Sequence, residues 1–325
     1  MTSEPVAGWW SSLGIYLQPR PITLLFLGFS SGLPLLLVFG TLSFWLREAG
    51  VDRTTIGFVS WVALAYGFKW VWAPLVDRLR LPLLTGLLGR RRAWLLTAQL
   101  AVAGGLAGMA MSDPLQGLES LVWLAVVVAF ASATQDIVID AFRIESGGAR
   151  LQAAMAATYM IGYRLAMIVA GAGVLWLAAW ADPDEASYQH APWQFAYLVM
   201  AGLMAVGILT TLLVAEPHPP QRPPAAATRE PSAIRGAPGW LRPALRWIWS
   251  AVISPFVDFF ARHGWLALLV LALIASYRIS DIVLGVIANV FYQDLGFSKP
   301  EIAKAVNTFG VIVSIIGGFL GGILA

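Results

Sequence analysis

Two carboxylates, Asp136 and Asp140, lie at the end of an apolar run that is long enough to cross a lipid bilayer. The run occupies residues 119–141, and its end lies in the stretch QDIVIDAFR (135–143). Residues four apart share one face of a helix, and Arg143 falls on the same face. A carboxylate inside a membrane usually faces a bundle interior or a water-filled path, and it can exchange a proton as its access to solvent alternates. The pattern predicts a protein that moves something across a membrane; the alternative is a structural ion pair between Asp140 and Arg143.

Charged residues also occur in other apolar runs of the chain. Lys69 lies in the second run, where its ammonium either reaches the membrane surface or serves as the counter-ion of Asp136. Arg278 and Asp281, in the seventh run, are three residues apart and share a helix face. They form either a permanent internal pair or a resting pair that a substrate or a proton displaces. The candidates for proton coupling or ion pairing are therefore Asp136, Asp140, Arg143, Lys69, Arg278 and Asp281.

An arginine near the middle of the fifth run, Arg164, needs an anionic partner at that depth. The partner is either Asp136 or a carboxylate or phosphate of a substrate. Aromatic side chains near the buried arginines could stack on sugar rings. The amide side chain of Gln135, which precedes Asp136, is a further candidate contact. The substrate-binding candidates are Arg164, Tyr159, Tyr163, Tyr277 and Gln135.

The composition excludes several classes of protein and of site. Of the 325 residues, 58% are hydrophobic and only 12% are charged, whereas soluble domains carry about 25% charged residues. There is no cysteine, so disulfides, iron–sulfur clusters and thiolate zinc sites are excluded. The three histidines (190, 218 and 263) lie outside the apolar runs, and neither a phosphate-binding loop nor a catalytic triad is visible. We therefore expect no metal, no cofactor and no enzymatic activity. The net charge of +3 gives no reason to expect a nucleic-acid partner, because the arginines sit in particular loops.

Basic connections between the apolar runs alternate with neutral or acidic ones. Since cytoplasmic loops carry the excess of Lys and Arg, this alternation predicts a cytoplasmic N-terminus and a cytoplasmic central linker. The start of the chain does not resemble a signal peptide. The eight predicted membrane-crossing runs are 22–46, 54–76, 93–112, 119–141, 154–180, 193–215, 264–291 and 299–325.

Three regions follow from this order of runs. Residues 1–215 are predicted to form a six-helix transmembrane bundle, and residues 264–325 the first two helices of a second bundle. The linker 216–263 begins with a Pro/Ala/Arg-rich stretch. It continues either as an amphipathic helix on the membrane surface or as an extension of the seventh run. Because the chain stops within an apolar run, GGFLGGILA, we expect a six-plus-six protein that has been cut short.

Five stretches, in order along the chain, resemble the AmpG-type muropeptide permeases of the major facilitator superfamily. They are QPRPITLLFLGFSSGLPLLLVFGTLSFWL (18–46), TIGFVSWVALAYGFKWVWAPLVDR (55–78), GRRRAWLLTAQL (89–100), ASATQDIVIDAFRIE (131–145) and IGYRLAMIVAG (161–171). The resemblance implies an all-α transmembrane bundle in the bacterial inner membrane, surrounded by lipid. It also implies proton-driven uptake of anhydro-muropeptides into the cytoplasm, for cell-wall recycling and β-lactamase induction. The same branch includes acetyl-coenzyme A transporters, and a receptor or scaffold that transports nothing is the alternative from another class.

Two further segments have candidate roles in a transporter of this kind. The stretch PLVDRLRLPLLTGLLGRRR (74–92) is similar to the superfamily's loop between helices two and three. It either gates the cytoplasmic side through a charge relay or simply obeys the positive-inside rule. Its candidate residues are Asp77, Arg78, Arg90, Arg91 and Arg92. In GFSSGLP, Gly28 and Gly32 have the spacing of close helix packing, and Pro34 predicts either a kink or a broken helix at a binding site.

Overall fold

The computed structural model describes residues 14–182, 187–217, 231–236, 238–249 and 253–273, and single positions at 276, 309–310, 313 and 316–317. It divides into two compact units, Met1–Pro219 with Asn307–Ala325, and Pro220–Val306. Every regular element among these described residues is helical. The predicted all-α class is confirmed.

Five helical spans of the first unit are long and apolar enough to cross a membrane, and they coincide with five of the predicted runs. We name them span 1 (Pro19–Glu48), span 3 (Arg90–Ala110), span 4 (Pro114–Ser146), span 5 (Leu151–Ala181) and span 6 (His190–Leu213). His190, which we expected outside the apolar runs, is the first residue of span 6.

Three of these spans are built from more than one helix. Span 1 consists of the helices Pro19–Val38 and Gly40–Glu48, and span 6 of His190–Leu203 and Ala205–Leu213. Span 5 comprises the helices Ala149–Ile168 and Val174–Ala181, joined by one π-helical turn at Val169–Gly173.

The second predicted run is not one continuous helix. We name residues 53–78 span 2. Glycines at 57 and 67 and the proline at 74 are poor helix formers, which weakens a continuous hydrogen-bond ladder. Span 2 therefore alternates α-helices with 3₁₀ turns, in the order Arg53–Val59, Ser60–Ala63, Leu64–Phe68, Lys69–Val71 and Ala73–Arg78.

Asp52 precedes span 2 and caps it. The Thr55 hydroxyl and backbone N–H donate to its carboxylate at 2.5 and 2.9 Å, and these hydrogen bonds lower the pKa of Asp52. The cap fixes where span 2 begins, although the helices that follow it are short.

Spans 1 and 5 pack backbone against backbone, as the glycine spacing predicted. A Cβ on Gly28 would lie 2.2 Å from the carbonyl oxygen of Tyr159, and one on Gly32 would lie 2.4 Å from that of Tyr163. The helix of span 1 continues through Pro34 to Val38, so the proline does not break it. The glycines therefore hold the two tyrosines of span 5 against span 1.

A cluster of aromatic rings joins spans 1 and 6 near the far end of span 1. The Trp45 and Trp193 rings stack with centroids 5.6 Å apart, and the Tyr197 hydroxyl donates to the Leu37 carbonyl at 2.8 Å. All four side chains are buried. This packing gives spans 1 and 6 a fixed contact away from the polar residues considered next.

The second unit contains the helices Ser232–Arg235, Arg242–Ile248 and Ser254–His263 among its described residues. The described parts of the amphipathic segment predicted for the linker are helical, and residues 250–252 lie outside the described part. Tyr277, Arg278 and Asp281 also lie outside the described residues, as does most of the eighth predicted run.

Candidate functional site

The Asp136 carboxylate of span 4 lies where spans 1, 2 and 5 approach it. The Ser31 hydroxyl of span 1 donates a short hydrogen bond to Asp136 Oδ1, and Lys69 Nζ of span 2 lies 3.6 Å from Oδ2. The Tyr159 hydroxyl of span 5 is 3.0 Å from Ser31 Oγ. Because the Ser31 proton is directed to Asp136, the Tyr159 hydroxyl is the donor in that contact. We call Asp136, Ser31, Lys69 and Tyr159 the Asp136 cluster.

The Asp136 cluster is mostly buried but remains partly accessible to solvent. The side chain of Asp136 is 12% exposed and that of Lys69 is 35% exposed. The Lys69 ammonium and the Ser31 hydroxyl offset part of the cost of holding a charged carboxylate at this mostly buried position. Four elements distant in sequence thus build a protonatable site.

Of the two cationic partners considered for Asp136 from the sequence, Lys69 and Arg164, the structure brings Lys69 to Asp136. Arg164 forms no ion pair with any residue that the structure describes; its Nη1 lies 3.9 Å from Met167 Sδ. Its Nε is buried and lacks a hydrogen-bond partner in the same part of the chain. The Tyr163 and Tyr159 rings lie beside one another, with centroids 5.9 Å apart. Arg164 thus directly follows Tyr163, one of the two paired tyrosines, and its guanidinium still has an N–H group available to a hydrogen-bond acceptor.

Asp140 and Arg143 pair with each other and are set apart from the Asp136 cluster. Arg143 Nη2 lies 3.5 Å from Asp140 Oδ1, and the Asp140 side chain is 56% exposed. The shared face expected from their spacing is present. An exposed pair of this kind contributes little to stability.

Gln135 points into the bundle interior, although it neighbours Asp136 in sequence. Its Nε2 donates to Ser30 Oγ at 3.2 Å, and Thr211 Oγ1 donates to Gln99 Oε1 at 2.9 Å in the same interior. These four side chains have no exposed surface. In this conformation Gln135 therefore helps to join spans 1 and 4 and is not in position to touch a substrate.

The loop arginines are held in a dense ion-pair network at one end of the first unit. The Arg91 side chain, which is 6% exposed, places Nη1 2.6 Å from Asp77 Oδ1. Its Nη2 and Nε donate to the two oxygens of Glu145 at 2.6 and 3.0 Å, and Arg90 lies 3.6 Å from the same carboxylate. Arg78 is exposed at the end of the helix Ala73–Arg78. Arg91 therefore links span 2, span 3 and the end of span 4.

Span 3 and span 6 cap each other through Arg92 and Glu216. The Glu216 carboxylate accepts the backbone N–H groups of Arg91 and Arg92 at 2.7 and 3.0 Å, which satisfies two free donors at the start of span 3. The Arg92 guanidinium donates to the carbonyls of Thr211 and Leu212 at 2.8 and 2.6 Å, at the end of span 6. Gly89, with φ of +91°, leaves room for Glu216.

Sequence reasoning assigned no role to Ser31, Glu145 or Glu216. Glu145 and Glu216 each carry a detectable signal, because they are acidic residues at the ends of apolar runs. Ser31 carries none, since a serine in an apolar helix is most often a packing residue. No group of His, Asp and Glu in the described ranges could hold a metal ion.

Comparisons with known proteins place these features in a family. The Major Facilitator Superfamily model matches residues 10–325. An Escherichia coli K12 protein named "Anhydromuropeptide permease" is 38% identical over 313 residues, covering 96% of this chain and 56% of that protein. A Rickettsia felis protein named "Putative transporter AmpG 4" is 33% identical over 310 residues, covering 95% and 68%.

A Rickettsia typhi protein named "Putative transporter AmpG 3" is 28% identical over 305 residues, covering 94% of this chain and 67% of that protein. The chain spans little more than half the length of the Escherichia coli relative. The similarity nevertheless extends over almost all of this chain in each case. This multi-pass membrane chain belongs to the Major Facilitator Superfamily, as one of its AmpG-like members.

Proposed function

We propose that this chain carries the N-terminal half of a secondary transporter that imports anhydro-muropeptides across the bacterial inner membrane, coupled to protons. The observation that carries the proposal is the Asp136 cluster, a protonatable carboxylate at the junction of four spans. The relatives are named as a permease and as putative transporters, which supports the assignment to transport and not to an enzyme.

Asp136 is the proposed proton-binding group. Its carboxylate is mostly buried and faces one cation, Lys69, at 3.6 Å. When the carboxylate binds a proton, the ion pair with Lys69 is lost and Ser31, which accepts from Tyr159, is left with a neutral partner. Because such a change alters the balance between two packed arrangements, protonation can be coupled to alternating access.

Arg164 and the two tyrosines beside it are the proposed substrate contacts. A muropeptide carries peptide carboxylates and sugar rings. The guanidinium of Arg164 has donors free to bind a carboxylate, and the Tyr159 and Tyr163 rings offer faces on which sugars stack. Tyr277, as a substrate contact, and Arg278 with Asp281, as an ion pair, remain candidates from the sequence.

The Arg91 network is the proposed gate on the cytoplasmic side. It joins spans 2, 3 and 4 through Asp77 and Glu145, so opening that side would require these bonds to rearrange. In this arrangement the N-terminus is cytoplasmic, residues 1–215 form the first bundle, 216–263 the linker and 264–325 the start of the second bundle.

Uptake by proteoliposomes tests the proposal. We expect vesicles that contain the full-length transporter, of which this chain is a part, to accumulate labelled anhydro-muropeptide when an inward proton gradient is imposed, and to lose this accumulation when an ionophore collapses the gradient. Empty vesicles are the control. Accumulation of acetyl-coenzyme A in place of muropeptide would overturn the proposed substrate, and uptake of neither by a correctly folded full-length protein would overturn the proposed transport function.

A further inference from the structure

A groove of about 620 Å³ runs between the start of span 1 and the end of span 6. Its walls include Ile22 and Phe26 on span 1 and Val206, Leu209 and Leu213 on span 6. The volume lies within the range of about 300 to 1,000 Å³ that is usual for small-molecule sites. We name this feature the 1/6 groove.

The walls of the 1/6 groove suit a hydrocarbon occupant. The side chains of Phe26, Leu209 and Leu213 are 43%, 57% and 85% exposed, so a continuous apolar surface faces outward. The two hydroxyls in the walls are already used, because Thr23 donates to the Pro19 carbonyl at 2.8 Å and Thr210 to the Val206 carbonyl at 2.6 Å. The walls therefore offer no side-chain donor to the body of an occupant.

One end of the 1/6 groove carries a positive charge, that of Arg20. Its Nη1 donates to the Ala215 carbonyl at 3.3 Å, and the guanidinium lies 5.9 Å from the centroid of the Phe142 ring. Within the described ranges Arg20 forms no ion pair. Its remaining N–H groups are positioned at the mouth of an apolar groove, where an anionic oxygen would complete their hydrogen bonding.

The surroundings of Arg20 reinforce the preference for an anion. The first turn of span 1 contains no acidic residue that would offset the charge of Arg20. The neighbouring carboxylate, Glu216, is engaged by the backbone N–H groups of Arg91 and Arg92. The site thus lies at the end of the unit that holds the basic loop.

We propose that the 1/6 groove binds an anionic phospholipid, with an acyl chain along Phe26 and Leu209 and the phosphate at Arg20. Basic residues at the mouth of an apolar crevice between helices are the arrangement that recognises acidic headgroups. A lipid bound there would contact both the first and the last span of the bundle and would resist their separation.

Lipid titration followed by native mass spectrometry tests this proposal on the detergent-solubilised chain. With phosphatidylglycerol as the probe, we expect one tight-binding lipid on the unmodified protein. Arg20→Gln should weaken it about fivefold, the effect of one arginine at an acidic membrane surface. Leu209→Trp, which fills the groove without changing charge, should weaken it as well. Arg80→Gln removes an exposed arginine that does not line the groove and should change nothing.

Two further measurements distinguish binding of an anionic phospholipid from binding of a neutral lipid or of free phosphate. Phosphatidylcholine should bind more weakly than phosphatidylglycerol, and inorganic phosphate at the same concentration should not compete. Equal phosphatidylglycerol binding by the unmodified, Arg20→Gln and Leu209→Trp proteins would overturn the proposal, as would effective competition by inorganic phosphate. Thermal unfolding of each variant without added lipid checks that the fold is retained.

Discussion

Lys69 Nζ lies 3.6 Å from Asp136 Oδ2, and the lysine belongs to a 3₁₀ turn within the interrupted span 2. The counter-ion of the central carboxylate therefore sits on the least regular of the membrane segments. A short helical piece is more easily displaced than a continuous helix, because fewer backbone hydrogen bonds hold it in place. The Lys69–Asp136 ion pair therefore connects the proposed proton-binding site to span 2, the span that is most easily displaced.

Asp136→Asn should abolish proton-driven uptake and leave expression and folding intact. The amide keeps the hydrogen bond from Ser31 but cannot exchange a proton, and Lys69, which is 35% exposed, retains contact with solvent. Because Lys69 can turn toward solvent, the free energy of unfolding should fall by less than the roughly 3 to 5 kcal/mol that is typical when one partner of a fully buried ion pair is removed. Asp140→Asn is the matched control and should transport normally, since Asp140 is exposed and pairs only with Arg143 in the described part. Wild-type uptake by Asp136→Asn would remove Asp136 from the mechanism.

Arg164→Ala should weaken substrate binding without preventing folding. Loss of one charge-assisted hydrogen bond corresponds to about 1.4 kcal/mol, or tenfold in the dissociation constant. Isothermal titration with an anhydro-muropeptide measures it, and Arg80→Gln serves as the control for loss of a positive charge. An unchanged affinity together with a lowered melting temperature would show that Arg164 is structural.

Arg91→Lys should destabilise the protein despite keeping the charge. A lysine cannot reach Asp77 and both oxygens of Glu145 at once, so a carboxylate that is 10% exposed loses its bidentate partner. Removing one partner from a buried pair costs about 3 to 5 kcal/mol, and Arg91→Gln should approach that range. Denaturant unfolding in detergent ranks the two variants; Arg90→Lys, at 3.6 Å from Glu145, should have the smaller effect.

Gly28→Ala should separate spans 1 and 5. The added Cβ would stand 2.2 Å from a backbone oxygen, which cannot rotate away, so the helices must shift. Overpacking of this kind costs about 1 to 3 kcal/mol. Gly104→Ala in span 3 has nothing within 4 Å of its added Cβ and should be neutral or slightly stabilising. Equal melting temperatures for the two variants would contradict the close packing.

Arg92→Gln and Glu216→Gln should both weaken the contact between the start of span 3 and the end of span 6. Each removes one side of the mutual cap between spans 3 and 6 and should cost about 1 kcal/mol. If the two caps support each other, the double variant should lose less than the sum of the single losses. A double-mutant cycle on unfolding free energy measures the coupling, and strict additivity would show that the caps are independent.

The sequence by itself determined the class of the protein and the residues from which its site is drawn. Apolar length, loop charge and the ordered family stretches are local properties, which can be read along the chain without knowing how helices pack. They gave the helical membrane bundle, the close approach at Gly28 and Gly32, and the candidates Asp136, Lys69 and Arg164. Span 2 was the exception, because its length and composition do not reveal how glycine and proline divide it.

Only the tertiary structure decided which candidates meet. Ser31 and Asp136 are 105 residues apart, and Glu216 and Arg91 are 125 apart. Whether such side chains meet depends on the rotation of each helix about its axis and on its depth in the bundle, which packing sets. Residues that are adjacent in sequence can therefore contact different partners: Gln135 binds Ser30, and Asp136 binds Ser31. A one-residue step rotates the helix by about 100°, so positions that look equivalent in sequence face different partners.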